Sequence, residues 1–100
     1  MSALIRTTNF FQSDLTHRID QVIKSSKPTR ENSLTVDAIA KQVLNGQDLD
    51  YKALQPVKSH LLDLVSRNLL SSLKMTDSFD FPTYWFFIDK PHQQLYWENK

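Results

Sequence analysis

Residues 34–70, LTVDAIAKQVLNGQDLDYKALQPVKSHLLDLVSRNLL, decide the reading of this chain. They spell a short helix, a turn and a longer helix. Thr35 is placed to cap the first, its hydroxyl accepting from a first-turn backbone N–H. Asp37 follows, where negative charge suits the positive helix end. Val36, Ile39, Ala40, Val43 and Leu44 then recur at helical spacing and form one apolar stripe. Asn45-Gly46 is a stop signal, because both residues tolerate the left-handed conformation that closes a helix. Gly46 is the single glycine in the chain.

Pro56 marks the longer helix, since proline is comfortable at a first helical position. Ahead of it, Asp50 is suited to cap a brief turn over residues 51–54. Val57, Leu61, Leu64, Val65 and Asn68 lie on one side of the helix, with Leu62 flanking. Neither helix is stable alone at this length, so each needs the other and a third element.

Upstream, Phe11, Leu15, Ile19, Val22 and Ile23 repeat with a helical period, predicting an amphipathic helix over residues 10–24. Asn9 with Gln12 has the spacing of a capping box. Residues 1–8 read as a loose N-terminal arm, and SSKPTRENS (25–33) as a loop too short to divide domains. One domain spanning 1–100 is expected. Downstream, SLKM (72–75) alternates like a half-buried strand, although a continuation of the helix fits as well. TYWFFID (83–89) is the strongest strand signal, rich in aromatic residues. Tyr84, Phe86 and Ile88 would point to one side of it, Trp85 and Phe87 to the other. KPHQQ (90–94) reads as a turn, and LYWENK as a short last strand or a packed tail.

Three helices followed by a two-stranded ribbon resemble a winged helix, an α+β fold with a C-terminal β-ribbon. LTVDAIAKQV looks like the first helix of a helix-turn-helix. LLDLVSRNLLSSLKM resembles the end of a recognition helix entering the first wing strand. The family pattern Leu-Val-x-x-Gly-Leu-Leu reads here Leu64-Val65-Ser66-Arg67-Asn68-Leu69-Leu70, with Asn68 in the glycine place. The turn from Asn45 to Gln55 is longer than the usual three or four residues.

The resemblance implies a small DNA-binding protein of the transcription-regulator type, its second helix entering a major groove of duplex DNA. Lys52, Lys58, Ser59, His60 and Arg67 are then the candidate contacts, with Lys27 and Arg30 touching phosphates. Against this, Asp63 sits mid-face and pairs naturally with Arg67 four residues on, which makes a solvated face. Asp77 and Asp80 occupy the presumed wing, where cations are usual. Lys27 and Arg30 equally suit a solubilising loop. The alternative is a winged-helix adaptor that binds a protein partner or a second copy through Trp85, Phe87, Tyr96 and Trp97. Tyr96 and Trp97 would otherwise fold over the second aromatic face.

Formal charge is +1, with twelve Lys and Arg against eleven Asp and Glu, not the balance of a dedicated polyanion binder. Cysteine is absent, which excludes disulfides and thiolate metal sites. One glycine cannot build a phosphate-cradling loop, and His17, His60 and His92 are scattered. Neither catalysis nor a cofactor is expected. No apolar run matches a membrane span or a secretory signal, so a cytoplasmic or nuclear setting is expected.

Overall fold

The computed structural model describes residues 2–44, 49–76, 78–80 and 82–100, with side chains from residue 14 onward. The described elements run α1 (Ser2–Ser26), β1 (Leu34–Thr35), α2 (Val36–Val43), α3 (Tyr51–Ser66), β2 (Ser71–Thr76), β3 (Pro82–Phe87) and α4 (Pro91–Asn99). The architecture is α+β: four helices with a three-stranded antiparallel sheet in the order β1-β3-β2.

Local signals set several boundaries. Thr35 caps α2, its hydroxyl accepting from Ala38 N at 3.2 Å. Asp50 caps α3 by accepting from Ala53 N at 2.8 Å. That cap carries the helix straight through Pro56, so α3 begins at Tyr51 and not at the proline. Proline removes only the bond to the Lys52 carbonyl. Lys52 is exposed, so water can satisfy that oxygen. At the other end Asn68 takes the left-handed conformation, φ 60°. Leu69 N then donates to Leu64 O and Asn68 N to Val65 O, both at 2.9 Å. This is the paired closure of a Schellman turn, with asparagine doing what glycine usually does. The Asn45-Gly46 stop lies outside the described residues.

Three further expectations are corrected, and one open choice is decided. The N-terminal residues are helical from Ser2, so the helix expected over 10–24 is α1 and no loose arm precedes it over residues 2–8. The ribbon has a third strand, because Leu34 and Thr35 pair with Phe86 and Trp85. Of the two readings left open after Leu70, strand is the one found, over Ser71–Thr76, since the Asn68 turn ends α3. The segment expected as a turn and last strand is α4. Pro91 opens it, and Gln93 reaches back so that its Oε1 accepts from Lys90 N at 3.1 Å.

One buried cluster draws on all four helices and β3: Ile19 and Ile23, Ile39, Ala40 and Val43, Val57, Leu61 and Leu64, Leu70, Phe86 and Trp97. The α2 stripe is the one that periodicity predicts. Burying a ring such as Phe86 completely is worth about 1.5–3 kcal/mol relative to exposure. Gln93 is fully buried beside this cluster. Its Oε1 also accepts from Asp89 N at 2.9 Å, and its Nε2 reaches Ser71 Oγ at 3.2 Å and Asn68 O at 3.5 Å. Replacing Gln93→Met keeps the length but orphans those groups. Urea unfolding should show a loss of about 1–3 kcal/mol, the cost of leaving buried polar groups unpaired.

Candidate nucleic-acid interface

The inward face of α3 is Val57, His60, Leu61 and Leu64, spaced i, i+3, i+4, i+7. The outward stripe is Lys52, Pro56, Ser59, Asp63, Ser66 and Arg67, all exposed, with Gln55 half-buried at its margin. Asp63 Oδ2 lies 3.2 Å from Arg67 Nε, each side chain more than half exposed. This is the within-helix pair that the spacing predicts. At such exposure it contributes little to stability, but it offsets the carboxylate charge on the stripe.

His60 leaves the set of candidate contacts. It turns toward α1, where its Nε2 lies 2.8 Å from Asp20 Oδ1, with side-chain exposures of 12% and 10%. Asp20 Oδ2 also meets Lys100 Nζ at 3.3 Å, and Lys24 Nζ donates to Lys100 O at 2.8 Å. His60 therefore ties α3 to α1 and to the end of α4. Burial pushes the Asp20 carboxyl up, but the hydrogen bonds and charges of His60 and Lys100 outweigh it. The group sits below the ordinary aspartate value. Lys100 is raised, first by its hydrogen bond to the Tyr96 hydroxyl and then by Asp20.

The sheet divides the remaining cations. At the hairpin end of β3, Lys58 Nζ lies 5.2 Å and Lys74 Nζ 6.0 Å from the centre of the Tyr84 ring. Lys74 pairs directly with Tyr84 in the β2–β3 register, so both are on the sheet face that meets α3. Tyr84 stacks in turn on Phe86, centroids 6.4 Å apart. Beside this cluster runs a groove of about 300 Å³, lined by Thr35, Asp37, Tyr51, Gln55, Lys58, Thr83 and Tyr84 among others. It separates the starts of α2 and α3 from the start of β3.

Lys27 and Arg30 are at the other end of β3. The Arg30 guanidinium covers the Phe87 ring at 5.5 Å, and Pro28 O accepts from Ile88 N at 2.8 Å. Lys27 borders a separate cleft of about 370 Å³ with Ile88, Gln94 and Trp97. These two cations do not join Lys52, Lys58 and Arg67 in one band. Lys74 was absent from the sequence candidates. Its signal was there: in SLKM it alternates with Leu73 and Met75, which puts it on the opposite face from them.

The four candidate partner rings are also redistributed. Trp97 is 3% exposed, inside the core cluster, with Nε1 donating to Leu69 O at 2.8 Å. Tyr96 is half-buried, edge-on to Trp97 at 4.9 Å. Phe87 is 2% exposed beneath Arg30. Tertiary packing absorbs Trp97 and Phe87, while Tyr96 on α4 and Trp85 on the outer sheet face each remain partly open.

Among the described residues no three His, Cys, Asp or Glu side chains are grouped to hold a metal, and no helix is long and apolar enough to cross a membrane. Comparisons with family models, curated proteins and solved structures return no match.

The sign of the Asp20 shift fixes an acid limb. A carboxyl lowered on folding contributes stability that is present above its unfolded value and lost as pH falls through the folded one. Urea titrations from about pH 5 down to about pH 2 should therefore show stability falling in the wild type. Asp20→Asn should be less stable at neutral pH and show a shallower acid limb over that window.

Proposed function

We propose that this chain is a winged helix that binds duplex DNA with α3 and the base of the β2–β3 hairpin. The element order supports the fold. Three helices followed by a hairpin is the order that the resemblance implies, and α1, α2, α3 and the β2–β3 hairpin follow one another in that order, with β1 added on the far side of β3 and α4 after it. One observation carries the function: Lys58 and Lys74 converge on Tyr84 beside the outward stripe of α3, where Lys52 is also exposed. Cations from a helix and from a strand are thereby gathered at one point beside the stripe, where they can contact the phosphate backbone and set the register of α3 on the duplex. Gln55 and Ser59 are the side chains on the stripe suited to base edges, glutamine to adenine above all. Asp63, engaged by Arg67, is kept from opposing the phosphates unpaired. The Tyr84 ring fixes where the two ammonium groups sit, which limits the entropy lost when a phosphate binds.

Salt dependence is the direct readout, because each neutralised phosphate adds close to one to the slope of log affinity against log salt. Fluorescence anisotropy on a short duplex should give measurable binding at low salt. Lys58→Gln and Lys74→Gln should each weaken it and reduce the slope by about one. Lys27→Gln and Arg30→Gln, at the far end of β3, should leave the slope unchanged. Absence of binding at low salt would remove this reading.

A further inference from the structure

We propose that the chain forms a two-fold symmetric dimer in which the free edge of β2 pairs antiparallel with β2 of a second copy. The inference stands apart from DNA binding. Among the described residues, strand order leaves β2 hydrogen-bonded on one side only, and an unpaired strand edge is a template for another strand. The register sets Ser71, Leu73 and Met75 on the same sheet face as Phe87, Trp85 and Thr83. Leu73 is 44% and Met75 61% exposed there, large apolar side chains beside the half-open Trp85.

None of these six side chains is itself charged, and the Arg30 guanidinium covers only Phe87, at the far end from Leu73 and Met75, so the open part of the face carries no charge for a basic or acidic peptide to pair with. What complements it is an equally uncharged strip of side chains on a strand of matching length. A second β2 supplies that strip, and a two-fold axis makes every contact twice.

The charge on Lys74 selects the register. Pairing centred on Lys74 would set two ammonium groups directly opposite each other, which is destabilising. Pairing centred on Met75 engages only residues 74–76 of the strand. Pairing centred on Leu73 engages residues 71–75, sets Leu73 against its own copy, Ser71 against Met75 and Lys74 against Ser72. That register joins the two three-stranded sheets into a continuous six-stranded one in the order β1-β3-β2-β2-β3-β1. Lys74 keeps its place on the opposite face, toward Tyr84.

Sedimentation velocity of the full chain at high micromolar concentration should give a dimer. Leu73→Lys should return it to monomer, while Leu95→Lys on α4, where Leu95 is also exposed, should remain dimeric. Circular dichroism checks that both variants keep their sheet and helix signal. Because the chain has no cysteine, Leu73→Cys reports the register without background. Mild oxidation should link it into a covalent dimer, and Lys74→Cys should stay unlinked; this pair decides the matter if Leu73→Lys fails to fold. A wild-type monomer at that concentration overturns the proposal. So does a dimer that survives Leu73→Lys in a folded chain, or one that links through Lys74→Cys instead of Leu73→Cys.

Discussion

The turn at Asn68 is the constraint on which the rest of the molecule depends. With φ at 60°, it ends α3 abruptly and aims the chain into β2. The turn also leaves two carbonyl groups to be satisfied, and α4 satisfies them. His92 Nε2 meets Asn68 O at 2.9 Å, and Trp97 Nε1 donates to Leu69 O at 2.8 Å. Gln93 joins the same point to Ser71 and to the start of α4. The angle between α3 and the sheet is therefore held from outside by a helix that follows both in sequence. A β-branched residue at 68 would have to leave the left-handed region, and the hairpin would lose its bearing on α3.

That junction explains why the cations segregate as they do. Once β2 leaves α3 in a fixed direction, Lys74 falls on the face that looks at Lys58, and Tyr84 is trapped beneath both. The loop between α1 and β1 is tied instead to the far end of β3 by the Pro28–Ile88 hydrogen bond. Lys27 and Arg30 travel with it. β3 thus keeps apart two basic groups that a linear reading would merge, one at Tyr84 and one at Phe87 on its opposite face.

Legibility in the sequence followed the range of the interactions. The caps at Thr35 and Asp50 and the stop at Asn68 act within a few residues, and each was visible as a residue type at a spacing. The α2 stripe and the alternation of β3 were visible for the same reason. β1 was not, because two residues form a strand only when β3 is there to pair with them. α4 was missed because Tyr96 and Trp97 are adjacent rather than helically spaced, and its anchors are carbonyls and side chains more than twenty positions earlier. Of the candidate contacts on α3, Lys52, Ser59 and Arg67 are exposed and Lys58 is half-buried. His60 was misplaced because its partner Asp20 is forty residues away.

The proline within α3 has a consequence for how that helix comes apart. Pro56 offers no proton, so the Lys52 carbonyl has no partner four residues on. The segment 51–55 is consequently sewn to the remainder by one stitch fewer than an uninterrupted helix provides, and the Asp50 side chain pins its free end. Fraying from that end meets a ready-made seam at the proline. The part beyond it, gripped by Leu61, Leu64 and the Asn68 closure, is left whole.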